Sequence, residues 1–249
     1  MSALEFSTTI GNAWFPAPTF TASGCASSGR ELAQFFPLRE MGGVVTKSVM
    51  SRVRPGRPTP RMAETPSGML NSIGLQGPGI DAFLTQDIPY LIEQKARVIV
   101  SIAGETVEEY STLARKLRSV SGISAVEVNI SCPNVENRGL VFACDPDASR
   151  RVIDGVRRTL GGELPIIAKL SPDVTDLVSI AKGVVDAGAD GLAQGPHLPY
   201  AQRRVACYRL LFGVQSGDFL WGGQGRAEER AVPEPGTGKS LFTSPGHTP

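Results

Sequence analysis

Residues 125–134 read AVEVNISCPN, and the fold is read outward from them. The stretch opens as an apolar, β-branched run with period-two alternation and stops at a Cys-Pro-Asn corner. That is the pattern of a buried strand with polar groups at its C-terminal end. Asn129, Ser131, Cys132 and Asn134 bring hydrogen-bonding groups and one thiol into a small volume. Taken alone, the same letters also fit a strand end capped by Asn turns around a structural cysteine. The flanking segments decide between the two.

Upstream, residues 97–102 (RVIVSI) form a buried strand, and residues 105–120 a helix with Val107, Tyr110, Leu113 and Leu117 on one stripe. Downstream, a polar loop runs to Asp145, long for a strand–helix connection and so a candidate active-site lid. Residues 146–160 then read as a helix with Val152, Ile153, Val156 and Leu160 inward. Residues 164–170 (LPIIAKL) are the next strand, with Lys169 inside an apolar run. A lysine in mid-strand of a parallel sheet needs a partner, which favours a ligand role. Residues 172–187 read as a helix with Thr175 or Asp173 as cap, and a further strand starts over 189–193.

Towards the N-terminus, residues 17–24 (APTFTASG) are extended and end in small residues, which admit a flat ligand or simply make a tight turn. A helical stretch follows over 30–36. Residues 42–49 (GGVVTKSV) form a strand whose Lys47 is either a snorkelling surface side chain or a ligand for an anion or ring carbonyl. Residues 51–66, rich in Arg and Pro, read as a surface loop. Residues 70–75 are a short apolar strand carrying Asn71, and a Gly-Pro-Gly turn leads to a helix near Ile80. Strand, loop and helix thus alternate from Val44 to Ala193, which predicts parallel β/α architecture. Lys47, Asn71, Cys132 and Lys169 fall at the C-terminal ends of different strands, the face where a (β/α) barrel does its chemistry.

The totals narrow the field. A chain of 249 residues suffices for one α/β barrel or two smaller domains. A net charge of +1 points to neither a nucleic-acid nor a membrane partner. No apolar run is long enough to span a bilayer, and no basic segment with a long apolar core opens the chain. Cys25, Cys132, Cys144 and Cys207 form no CxxC pair, which argues against a metal site or disulfide framework and for a reducing cytoplasm. His197 and His247 both fall in the last quarter, so no His-based triad or zinc site forms among the better-patterned residues.

The segments VVTKSV, ETPSGMLNSIGLQGPG, VIVSIAG, VEVNISCPN and IIAKLSPDVTD together resemble the class 1 dihydroorotate dehydrogenases over residues 12–193. The wording around LNSIGLQGPG is most similar to the NAD-linked class 1B catalytic subunits. The resemblance implies an FMN-containing (β/α)8 TIM barrel that oxidises (S)-dihydroorotate to orotate in pyrimidine biosynthesis. Cys132 is then the base for the C5 proton while the C6 hydride passes to flavin N5, a role a thiolate fills when its pKa is lowered. Lys47, Asn71, Asn129 and Asn134 hold the substrate's carboxylate and ring amides, and backbone around Ile73, Gly74 and Leu75 completes the pocket. Ala22, Ser23 and Gly24 lie along the flavin, with Lys47, Asn71 and Asn129 also near it. Lys169 faces the N1/C2 carbonyl edge, where a fixed cation stabilises the anionic reduced ring. In class 1B the implied partner is a subunit carrying FAD and a 2Fe–2S cluster, in a heterotetramer built on a catalytic dimer. In class 1A fumarate is the acceptor and a homodimer suffices. A barrel like that of dihydropyrimidine dehydrogenase and a non-catalytic remnant are the rival readings.

After Ala193 the resemblance ends. The family continues through an Ile-Asn-Thr corner and a glycine-rich loop to two further strands that grip the FMN phosphate. Residues 194–249 instead have no Ile, only Lys239 as lysine, and much Gly and Pro. Gly238-Lys239-Ser240 lacks the earlier glycine of a phosphate loop, since Pro233 stands there. The chain therefore divides into a partial barrel over 1–193, with about six of eight β/α units, and an irregular tail over 194–249 that reads as out of frame, truncated or mis-joined, with a genuine divergent C-terminus as the alternative. A barrel so shortened has two open edges and lacks backbone donors for the FMN phosphate. Weak FMN binding is the expectation.

Overall fold

The computed structural model describes residues 6–66, 68–131, 142–171 and 174–194, with short strands at 209–211, 214–215 and 218–219. Thr8–Ile10 (β1) and Ala13–Phe15 (β2) form an antiparallel hairpin. Val44–Val45 (β3) opens the main sheet. Met62–Thr65 (β4) and Gly68–Asn71 (β5) make a separate antiparallel hairpin. Val98–Ile102 (β6), Ile123–Asn129 (β7), Ile166–Leu170 (β8) and Gly191–Gln194 (β9) join β3 in parallel, side by side in chain order. A sheet that keeps chain order without reversing is wound in one sense, like a barrel wall, whereas a doubly wound sheet reverses at a switch point.

Ile80–Ala82 (α1) runs through a π-helical turn, Phe83–Asp87, into Ile88–Glu93 (α2). Val107–Arg118 (α3), Pro146–Leu160 (α4) and Leu177–Asp186 (α5) are the crossover helices, with α4 packed between α3 and α5. Alternation along each strand separates two cores. Val44, Val98, Val100, Val126, Val128, Ile166, Ala168 and Leu192 face the helices. Val45, Ile99, Ala125, Ile167 and Ala193 face the other way and meet Ile10 and Phe15 from the β1–β2 hairpin. That hairpin closes the apolar floor of the inner face. No described helix is long and apolar enough to cross a membrane.

The helix boundaries follow from local chemistry. Asp145 caps α4 by accepting from the N–H groups of Asp147 at 2.8 Å and Ala148 at 3.0 Å. Pro146 fills a first-turn position, and Gly161 ends the helix in the left-handed region at φ +66°. Thr106 caps α3 by accepting from Glu109 N at 3.2 Å. The helix expected from residue 172 is described from Leu177, where Asp176 accepts from Ser179 N at 2.9 Å and serves as cap in place of Thr175; Asp173 lies outside the described residues. Over 30–36 only a 3₁₀ turn, Leu32–Gln34, forms.

Two expectations need correction. The strand carrying Asn71 lies outside the parallel sheet, which among the described residues has five parallel strands in place of about six. Met62 pairs with Asn71 across the β4–β5 hairpin, and Ser72 N donating to Arg61 O at 2.8 Å extends the ladder. A short apolar run is satisfied by the nearest extended segment, and here that is residues 62–65, read from sequence as loop. The stretch after Gln194 also contains strand. Arg209–Leu211 (β10) pairs antiparallel with β9, and Val214–Gln215 (β11) pairs with Asp218–Phe219 (β12). The free edge of β9 thus takes an antiparallel partner.

Candidate active site

Above the apolar floor, the inner face of the sheet becomes polar. Continuing the alternation of Ile99, Ala125 and Ile167, the inward positions nearer the C-terminal strand ends are Ser101, Glu127, Asn129 and Lys169. Register sets them side by side: Ser101 is opposite Glu127, and Asn129 is opposite Lys169. All four are buried, with Lys169 only 7% exposed and Glu127 1%.

Hydrogen bonds tie this layer to the two N-terminal segments. Ser101 Oγ donates to Glu127 Oε1 at 2.7 Å, and Lys169 Nζ stands 3.8 Å from the same oxygen. Ser48 Oγ lies 2.9 Å from Ser101 Oγ and is the donor there, since Ser101 commits its proton to the carboxylate. Asn129 Nδ2 donates to Ser48 Oγ at 2.8 Å, and Ser23 Oγ is 3.2 Å from the same hydroxyl. Asn129 Oδ1 accepts from Ser131 N at 3.2 Å and Ser131 Oγ at 2.8 Å. Its carbonyl accepts from Tyr110 of α3 at 2.7 Å. The side-chain amide and the carbonyl of Asn129 are thereby fixed in direction. Burial raises the Glu127 carboxyl above its ordinary range, and Lys169 and Ser101 offset only part of this. Its Oε2 has no hydrogen-bond partner among the described residues.

A second group stands beside this layer. Lys47 is half-buried, and its backbone N–H donates to Ser27 O at 3.1 Å. With Gly24, Ser48, Arg54 and Gln76 it lines a cleft of about 930 Å³ whose described lining includes neither Asn129 nor Lys169. Ser48 joins the two groups. Ala22 is buried, and Gly24 sits at φ +86° with open space where a side chain would be. Residues 73–75 follow the β4–β5 hairpin. Ile73 O accepts from Arg57 N at 2.9 Å, and Gly74 and Leu75 take φ values of +79° and +54°. Asn71 is exposed on that hairpin.

The structure therefore gathers Ser23, Asn129 and Lys169, with Lys47 adjoining through Ser48, and sets Asn71, Ile73, Gly74 and Leu75 on a separate arm. Cys132 and Asn134, and most of the expected lid, lie outside the described residues. Sequence reasoning missed Glu127, Ser48 and Ser101. The signal for Glu127 was available: a carboxylate two positions before Asn129, on the same face of a buried strand, needs a partner as much as Lys169 does. Chemically, the layer offers a buried ammonium, a fixed amide and aligned hydroxyls beside small residues at 22–24. That set suits a flat ring with a carbonyl edge that gains negative charge. No described cluster of three or more His, Cys, Asp or Glu could hold a metal ion.

Comparison with known proteins follows the same boundary. Residues 5–195 match the family described as Dihydroorotate dehydrogenase. The proteins named dihydroorotate dehydrogenase B (NAD(+)), catalytic subunit, from Geobacter sp. (strain M21) and Geotalea uraniireducens (strain Rf4) are each 47% identical over 176 residues, 71% of this chain and 57% of theirs. The protein of that name from Alkaliphilus metalliredigens (strain QYMF) is 42% identical over 193 residues, 78% of this chain and 63% of its own. The chain thus spans about 57% of the length of the first of these relatives.

Proposed function

The chain belongs to the dihydroorotate dehydrogenase family, and on that premise we propose that it carries the substrate side and flavin-ring side of an enzyme oxidising (S)-dihydroorotate to orotate. Residues 1–193 are the first part of a (β/α)8 barrel, and the stretch from 194 is a non-family tail whose Arg209–Leu211 strand pairs with β9. The observation that carries this reading is the inner-face layer. Lys169 and Asn129 lie in register at the C-terminal ends of adjacent parallel strands, buried and joined through Ser48 to Ser23. Chemistry in β/α barrels sits at that end.

The roles follow from the chemistry. FMN, held against these residues, would supply the acceptor for the C6 hydride of the substrate. Lys169 presents a fixed positive charge to the ring edge that becomes electron-rich, with little reorganisation because its stem is buried. Asn129 offers an amide already oriented by Ser48 and Ser131. Ala22, Ser23 and Gly24 give the ring room. Cys132 removes the C5 proton. Lys47, Asn71, Asn129, Asn134 and the backbone of 73–75 hold the carboxylate and ring amides, which requires the β4–β5 arm to lie over the strand ends. The relatives' name includes NAD(+) and the words catalytic subunit, which supports a partner subunit, with FAD and a 2Fe–2S cluster, as the route to NAD; the cytoplasm is the place proposed for it.

The test is anaerobic. Purified chain with excess FMN and (S)-dihydroorotate should form orotate as the flavin absorbance falls, and Cys132→Ala should slow both together. Turnover of dihydrouracil in place of dihydroorotate would replace this reading with the dihydropyrimidine one.

A further inference from the structure

The inner face holds one element that the proposed reaction does not use. Glu127 is 1% exposed, its Oε1 is held by Ser101 and faces Lys169, and its Oε2 meets no polar group among the described residues. A carboxylate in this position is costly to bury unless it is paired or neutralised. Lys169 is the only charged group acting on it among the described residues. The other polar groups of the network, Ser101, Ser48 and Asn129, are neutral and belong to β6, the segment after β3, and β7.

We propose that Glu127 is a positioning residue that holds the Lys169 ammonium on the inner face and takes up a proton on Oε2 when a second anion claims that ammonium. Before the second anion arrives, one negative and one positive charge balance. Afterwards the ammonium balances the newcomer, one proton from solvent neutralises Glu127, and the buried layer carries no net charge in either state. The hydrogen-bond direction fits. Asn129 donates to Ser48, Ser48 to Ser101 and Ser101 to Oε1, so Oε1 stays an acceptor in both states and only Oε2 is open to the proton. The raised proton affinity of the buried carboxyl points the same way. The second anion is the reduced flavin ring, and for that identity alone the inference rests on the proposed function.

The test reads the Glu127 carboxyl directly, by its infrared C=O band in the full-length chain as pH is varied, with Glu127→Gln to assign the band. Lys169→Met stands in for complete capture of the ammonium. It should raise the titration midpoint by about 1–3 pH units, a change of tenfold or more in proton affinity, while Lys169→Arg keeps it near the wild-type value. A Glu127 carboxyl that does not exchange charge balance with Lys169 would not move this band between the two variants. Equal midpoints in wild type and Lys169→Met overturn the proposal. If Lys169→Met loses its circular-dichroism spectrum, the wild type decides, and titration at or below the ordinary glutamate range overturns it. Dithionite-reduced FMN added to wild type should raise the same band. No response to reduced FMN, with the Lys169→Met shift intact, removes the flavin as the anion and counts against the proposed function, but leaves the proton exchange between Glu127 and Lys169 standing.

Discussion

Asp190→Ala should cost about 1.5–3 kcal/mol of folding stability. Asp190 precedes β9, and its Oδ2 accepts from the backbone N–H of Ile166, the first residue of β8, at 2.7 Å. It also pairs with Arg157 of α4, whose guanidinium donates to Gly188 O at 2.9 and 2.6 Å and to Leu164 O at 3.4 Å. One carboxylate thus fixes the start of the strand that carries Lys169 to the helix behind it. Removing it leaves the Ile166 N–H without its charged acceptor, worth about 1–2 kcal/mol. The ion pair adds only about 0.5–1 kcal/mol, since the side chains are 22% and 30% exposed and Arg157 keeps its carbonyl partners. Urea unfolding followed by circular dichroism measures the sum, and the melting temperature should fall by about 5–10 °C for a chain of this size. Asp190→Asn keeps an oxygen for Ile166 and should cost about half as much. An Ala variant within about 0.5 kcal/mol of wild type, or an Asn variant as damaged as Ala, refutes the reasoning.

Asp145→Ala removes the carboxylate oxygen that accepts from two N–H groups at the start of α4 and should lower stability by about 1 kcal/mol, with Asp145→Asn restoring most of it in the same urea assay. Tyr110→Phe deletes the hydroxyl that holds the Asn129 carbonyl at 2.7 Å, and should cost about 1–2 kcal/mol and weaken FMN binding in a fluorescence titration. Stability should also depend on pH through Glu127. Burial raises its folded value above the ordinary 4.5, so its contribution is fully present below about that pH and is lost as pH rises through the folded value. Melting temperatures across this range should show that slope in wild type and a flatter profile in Glu127→Gln. Finally, the fluorescence titration should give an FMN affinity weaker than about 1 μM for the 249-residue chain; tighter binding would show that the tail supplies phosphate contacts after all.

The parallel core was legible because each of its strands is an apolar run set off by a helix with clear ends. For α4 the Asp-Pro start and the inward residues Val152, Ile153, Val156 and Leu160 all stand where the pattern put them. Lys169 was legible from chemistry alone, since a lysine among Ile, Ala and Leu needs a reason to be there. Glu127 deserved the same treatment and escaped it, because the eye stops at the Asn and Cys that follow. Asn71 misled for a different reason. Its strand has the right residues, but pairing partners are chosen in space, and a four-residue run does not say which sheet it joins. The start of α5 turned on one residue, Asp176, whose carboxylate reaches Ser179 N where Thr175 and Asp173 were the expected caps. In the tail, composition pointed to an irregular segment; the free edge of β9 brought Arg209–Leu211 into the sheet.

The central claim is that the inner-face layer around Lys169 and Asn129 receives a flavin ring. The most direct measurement is the visible difference spectrum as FMN is titrated, in excess, into wild type and Lys169→Met. Wild type should perturb the flavin bands and quench the fluorescence, with Lys169→Met losing most of that response while its circular-dichroism spectrum is unchanged. Identical responses from the two proteins, or no perturbation of the bands by wild type in excess FMN, would contradict it.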